Sequence, residues 1–145
     1  MTRINVIDPY LLLDQFLMAE YRELPMVIAS ARRSLRASKQ PILATGPYTL
    51  NKGHVTFFYN KAGWLQERYK ILIDELLSRG FNLDPEARGV DFAPMYEFPQ
   101  VEDWRPTDSD REVNLARLRL RYAAKPTWYK WCRGKPTDAI VSVYN

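Results

Sequence analysis

Ten prolines in 145 residues decide where helices can fit in this chain, because a proline donates no backbone hydrogen bond and its ring clashes with the carbonyl one turn back. Four of them, at 85, 94, 99 and 106, fall within residues 82–108. That stretch therefore reads as a loop draped over the surface without regular structure of any length. Two more, with two glycines, fall within residues 39–53 and mark a second connecting loop, with Thr49 and Leu50 as an extended pair. The helices have to lie between these loops.

Asp8 ahead of Pro9 is a helix-start signal, since the carboxylate accepts from free first-turn amides and proline is tolerated there. A helix is expected over residues 9–21, with Leu13, Phe16, Leu17 and Glu20 at helical spacing, an apolar face that runs into a carboxylate. The residue before a proline avoids helical geometry, so Arg22, Glu23 and Leu24 are expected to bend, with a second helix over residues 25–37 and Glu23 at its N-terminus. Residues 54–59 are β-branched and aromatic. Gly63 and Trp64 open a strong helical pattern through Leu65, Tyr69, Leu72, Ile73, Leu76 and Leu77, which Arg79 and Gly80 end. Ser109 with Glu112 reads as a capping box for a last helix, with Val113, Leu115, Leu118 and Tyr122 on its buried side and Pro126 beyond its end. On that helix Arg117 and Arg121, four apart, share a face, and Arg119 points elsewhere.

With 46% hydrophobic and 26% charged residues, the chain has enough apolar content for one compact domain over residues 1–145, expected to bury ~70% of the surface its unfolded form exposes. Its lone Cys132 closes no internal disulfide and makes no zinc spacing with the lone His54, so a disulfide scaffold and a structural metal are both set aside. Cys132 reads as a small packing residue without thiolate activation. No stretch nears the roughly 18 apolar residues that cross a bilayer, and no basic-then-apolar leader opens the chain. A soluble protein without a membrane partner, in a reducing compartment, is expected. Charge is segregated: residues 84–112 hold nine acids and three bases, residues 113–145 hold seven bases and one acid, and the whole chain is +4. Such a pattern is either surface solvation or the basic field that captures a phosphate backbone, and composition does not choose between them. There is no Gly-rich phosphate loop, no Ser-His-Asp set and no metal-ligand cluster.

A set of short words does choose: MTRIN at 1–5, Asp14-Gln15, LMAEYRELP at 17–25, GHVTFFY at 53–59, RGFN at 79–82, ARL at 116–118 and PTWYK at 126–130. In these words, which recur in the same order, the chain closely resembles the pyrimidine-dimer DNA glycosylase/AP lyase family of phages. The segment 84–108 is largely rewritten. The resemblance implies an all-α, single compact domain of three main helices with long connecting loops, its N-terminal segment passing between helices. It also implies a cofactor-independent, metal-free monomer that excises cyclobutane pyrimidine dimers from damaged double-stranded DNA, in the cytoplasm or, if viral, the host cytoplasm or nucleoid.

The resemblance makes Thr2 and Glu23 the catalytic residues. The nucleophile is the α-amine of Thr2 once Met1 is removed, a step that a small second residue permits. An α-amine has a pKa near ~7.7–8.0 against ~10.4 for lysine, so it is neutral far more often at neutral pH. Nearby Arg3 and Arg22 would lower it further. Glu23 would stabilise positive charge on the sugar and accept the proton lost in elimination. Arg3, Arg22, Arg117 and Arg121, the last a lysine in the family, are the expected DNA-binding bases. Trp128, Tyr129 and Lys130, with Trp131, form an aromatic-basic tail that either contacts DNA or, for Trp128 equally, anchors the last segment. Glu20 and His54 are expected to be structural. The chain departs from the family at Phe16, where histidine is common, at Met26, where arginine is common, and in the tail after Lys130. Two other readings stay open: the same imine chemistry on another base lesion or an abasic site, and a DNA-binding protein without catalysis.

Overall fold

The computed structural model describes residues 3–37, 46–84, 89–99 and 101–145. Among these residues there are five helices and no strand: α1 (Asp14–Ala37), α2 (His54–Phe57), α3 (Ala62–Ser78), α4 (Asp108–Ala124) and α5 (Asp138–Tyr144), with 3-10 turns at Pro9–Leu11 and Ala93–Glu97. The class is all-α, and α1, α3 and α4 are the three long helices. None of them is long and apolar enough to cross a membrane. Thr2 and residues 38–45 of the first connecting loop lie outside the described residues.

Pro25 does not divide the first helical region. α1 runs unbroken through it, and its buried face continues from Phe16, Leu17, Glu20 and Tyr21 to Leu24, Val27, Ile28 and Ala31. A proline inside a helix costs about 3 kcal/mol, whereas each fully buried Val or Ile side chain returns about 1.5–3 kcal/mol, so burial of Val27 and Ile28 beyond the proline offsets it. Glu23 consequently sits in the middle of a helix and not at an N-terminus. The Asp8-Pro9 signal starts only the 3-10 turn, where the Asp8 carboxylate accepts from the Tyr10 amide at 2.9 Å.

α3 ends as its sequence demands. Gly80 takes φ +86°, and the Phe81 and Gly80 amides return to the Leu76 and Leu77 carbonyls at 3.1 and 3.0 Å, the paired closure that a left-handed glycine allows. Arg79 does more than complement the helix dipole. It is buried and donates to the carbonyls of Pro9, Tyr10 and Leu12 and to the Asp14 carboxylate.

α4 begins earlier than the Ser109–Glu112 pair suggests. Thr107 Oγ1 accepts from the Asp110 amide at 3.1 Å, and Asp110 Oδ2 accepts from the Thr107 amide at 2.9 Å. Thr107 follows Pro106 in extended backbone, the geometry a cap needs, and Asp108 and Asp110 put acids at the positive end of the helix dipole. The loop over 82–108 is also less superficial than its prolines imply: Phe92, Met95 and Phe98 are buried around the second 3-10 turn. Residues 54–57 coil into the single turn of α2, entered through Gly53 at φ +94°.

The tail holds an element that the resemblance did not suggest. Thr137 caps α5, and the Tyr144 hydroxyl donates to the Leu11 carbonyl at 2.6 Å. Tyr144 packs on Phe16 with ring centres 6.1 Å apart and on Tyr122 at 5.5 Å. Cys132 is exposed and not a packing residue, because it stands with Arg133 in a positive-φ turn whose two amides donate to the Asp14 carboxylate at 3.0 and 2.7 Å.

The interior of the α1–α3 layer is mostly leucine, at 13, 17, 24, 65, 72 and 76, and it also encloses an ion pair. Glu20 is fully buried, its two oxygens accepting from Arg68 Nε at 2.7 Å and Nη2 at 3.0 Å.

Candidate active site

Residues 3–7 are buried and lie among the long helices as an arm without regular structure. Backbone polar groups buried outside helix or sheet have to be satisfied in other ways, and here side chains do it. The Arg3 amide donates to Glu23 Oε2 at 2.7 Å. The Ile4 amide donates to His54 Nε2 at 2.7 Å, and the Ile4 carbonyl accepts from the Tyr48 hydroxyl at 2.9 Å. The Val6 and Ile7 amides share Asn114 Oδ1 at 2.8 and 3.2 Å, while Asn114 Nδ2 donates to Asn5 Oδ1. Arg68 Nη1 donates to the Ile7 carbonyl at 2.7 Å. The arm is thereby fixed by α1, α3, α4 and residues 48–54 together.

A small cavity of about 70 Å³ opens beside the Arg3–Glu23 bond, lined by Arg3, Asn5, Phe16, Ala19, Glu23 and Arg121 among others. Burial, then repulsion from Arg121 and Arg117, lowers the Arg3 pKa, against the pull of Tyr48 and Glu23. The guanidinium groups of Arg117 and Arg121 thus sit within electrostatic reach of Arg3, whose backbone is bonded to the Glu23 carboxylate. Concentrated positive charge of this kind stabilises an anion brought to it.

Of the residues singled out from the sequence, Arg3, Glu23, Arg117 and Arg121 come together. Arg117 is half-buried and donates to Asn51 Oδ1 at 3.2 Å; Arg121 is exposed at the edge of the cavity. Arg22 is exposed on α1 and does not line this cavity. The tail residues lie across Phe16. Tyr129 is buried with its ring 4.7 Å from that of Phe16, and burial, opposed by Arg121, raises its phenol pKa. Trp128 is 56% exposed, edge-on to Tyr129. Lys130 is exposed, but its backbone and that of Trp128 are tied to the start of α1 through Gln15 and the Asp14 amide. Trp131 Nε1 donates to the Tyr10 carbonyl at 2.9 Å.

Phe16 fills the place between the cavity and the aromatic rings of the tail, and Met26 is 54% exposed on α1. His54 acts as a hydrogen-bonding residue, with burial lowering its pKa against the bond to the Thr49 carbonyl.

Asn114 is the residue that the sequence reading missed. It is fully buried on α4, where Val113 is 45% exposed; the inward face is Asn114 with Leu118, and Leu115 and Tyr122 flank it half-buried. A polar residue one turn before a buried leucine was the available signal, and the arm's amides are why it points inward.

The fold and these contacts define an all-α protein that buries its N-terminal arm against a carboxylate whose small cavity Arg3 and Arg121 also line. A family model described as pyrimidine dimer DNA glycosylase matches residues 1–89, and the chain belongs to that family. DNA is accordingly its substrate. The match takes in the arm, Glu23 and His54, while Arg117, Arg121 and the tail lie beyond the matched residues.

Proposed function

We propose that this protein excises cyclobutane pyrimidine dimers from duplex DNA and cuts the strand there, with the α-amine of Thr2, freed by removal of Met1, as nucleophile and Glu23 as its partner. The observation that carries this reading is the 2.7 Å bond from the Arg3 amide to Glu23. Only three covalent bonds separate the Arg3 nitrogen from the Thr2 nitrogen, a reach of no more than about 4 Å, so fixing one on the carboxylate limits how far the other can stray.

The amine lone pair attacks C1′ of a dimer nucleotide, and the base leaves with the electrons of the glycosidic bond and takes up a proton. The amine loses a proton, the C1′–O4′ bond opens with O4′ protonated, and a protonated imine remains. Loss of a C2′ proton then drives the electrons toward C3′ and expels the 3′ phosphate. Water hydrolyses the imine and frees the amine. The Glu23 carboxylate offsets the cationic charge and accepts the C2′ proton. Arg3, Arg22, Arg117, Arg121 and Lys130 neutralise phosphates; Trp128 offers an aromatic plane to an unstacked base, and Tyr129 seats the segment that carries it. The whole chain, 1–145, works as one domain in this scheme, since Asn114 of α4 holds the arm that Glu23 of α1 completes.

Borohydride reduction on a dimer-containing duplex tests the chemistry. A covalent protein–DNA adduct is expected, and acetylation of the N-terminal amine should abolish both adduct and incision; an adduct that survives acetylation removes Thr2 from the mechanism. The same trapping on duplexes with an abasic site or an oxidised pyrimidine ranks the lesions, and a binder without catalysis gives no adduct on any of them. For the arginines, Arg117→Ala and Arg121→Ala should weaken binding to damaged and undamaged duplexes alike. Each is expected to reduce the slope of log K against log salt by about 0.9. An unchanged slope in filter-binding titrations would take that residue off the phosphates.

A further inference from the structure

We propose that His54 is a positioning residue that holds the reacting end of the arm in register only while its imidazole is neutral. This rests on the amine chemistry proposed above and adds a protonation condition to it.

The geometry fixes which tautomer is present. His54 Nδ1 lies 2.7 Å from the Thr49 carbonyl, which can only accept, and Nε2 lies 2.7 Å from the Ile4 amide, which can only donate. Nδ1 therefore carries the hydrogen and Nε2 the lone pair. Ile4 is the next residue after Arg3, whose amide is on Glu23, so the bond to His54 fixes the peptide unit adjoining the one that faces the carboxylate. The Ile4 carbonyl is held by Tyr48 from the same stretch of chain. The His54 ring stands edge-on to Tyr48 and Phe58 at 5.7 and 5.4 Å and is almost wholly buried.

A proton on Nε2 would set two donors against each other at hydrogen-bond distance, in a place almost wholly closed to solvent. The charged groups around it make matters worse. Arg3 of the arm is cationic and acts against a second positive charge here; Arg117 of α4 is bonded to Asn51, three residues before His54. The Tyr48 hydroxyl is held un-ionised by burial and gives no compensating negative charge, and the residue that follows α2, Phe58, presents an uncharged ring. Burial lowers the His54 pKa, with Arg3 adding to it. The unfolded chain therefore takes up this proton first: the stability linked to the neutral ring is complete above the ordinary histidine value of about 6.5 and is lost as pH falls toward the lower native value.

Two variants separate positioning from packing. His54→Phe keeps a ring against Tyr48 and Phe58 and removes both hydrogen bonds. His54→Gln offers an oxygen to the Ile4 amide and an amide hydrogen to Thr49, and does not titrate. Single-turnover cleavage by His54→Phe is expected to fall on the order of 10²-fold, with DNA affinity changed by less than about threefold. His54→Gln should restore most of that loss. In the wild type, log rate should fall by about one per pH unit below the amine pKa and steepen toward two where His54 protonates, whereas His54→Gln should keep the single slope. The Ile4 amide resonance reads the arm independently of chemistry and of whether the phenylalanine variant folds. It should move with the His54 titration in the wild type and hold still in His54→Gln. An Ile4 amide that stays put while His54 titrates, or equal steepening in His54→Gln, overturns the proposal. Failure of the wild type to trap DNA at any pH overturns the Thr2 reading instead, and the Ile4 titration still decides the role of His54.

Discussion

Glu23→Gln should bind dimer-containing duplex at least as tightly as the wild type while its strand cleavage falls by about 10²–10⁴-fold, the range in which a lost general acid–base group is felt. Glutamine preserves the volume and an oxygen that accepts from the Arg3 amide, so the 2.7 Å bond that holds the arm has a substitute. What goes is the negative charge beside Arg3 and close to Arg121. Its removal leaves the arginines more positive toward a polyanion, which favours binding, and leaves the developing cation on the sugar without a counter-charge and the C2′ proton without an acceptor. Single-turnover cleavage and equilibrium binding on the same labelled duplex separate the two effects. Cleavage retained by this variant removes Glu23 from the mechanism; cleavage and binding lost together would show that the carboxylate serves mainly to hold the arm.

How much of this was legible in the sequence depends on how local each cause is. The end of α3 was readable because Gly80 and the residues around it suffice for it. The course of α1 was not, because the rule that stops a helix before proline concerns one amide and one ring, whereas what carries α1 past Pro25 is the burial of Leu24, Val27 and Ile28 against the rest of the molecule. That difference changes the setting of Glu23 from a helix start to a helix middle. Asn114 escaped because an amphipathic pattern assigns polar residues to the outside, and only the arm, more than a hundred residues away in sequence, gives its amide a reason to be inside. α5 was missed because seven residues carry too few periods to stand out. Glu20 shows the opposite case: a carboxylate at a core-facing position declares that a partner exists, but the partner, Arg68, lies forty-eight residues further on in a pattern that reads as ordinary helix surface. Arg3, Glu23, Arg117 and Arg121 were named through the family resemblance, and no spacing rule foretold that a buried arm would bring them together.

Breaking the Glu20–Arg68 pair should be the most damaging single change to stability. Arg68→Met leaves the fully buried Glu20 without its bidentate partner, and an uncompensated charge of this kind costs about 3–5 kcal/mol, a large share of the ~5–15 kcal/mol that holds a domain together. Glu20→Leu strands the arginine instead and should cost about as much by the same argument. The double variant removes both charges and fills the space with carbon, and urea titration should find it within about 1–2 kcal/mol of the wild type, giving a large coupling in the double-mutant cycle. Its activity should not recover in proportion. Arg68 also donates to the Ile7 carbonyl at 2.7 Å, and methionine cannot, so the arm loses one of the bonds that hold it even when the core is repaired. A stable double variant with impaired cleavage is thus the expected result, and it separates the two roles of Arg68: counter-ion to Glu20 and clamp on the arm. A double variant that cleaves as well as it folds would leave the arm's register to Glu23, Tyr48, His54 and Asn114.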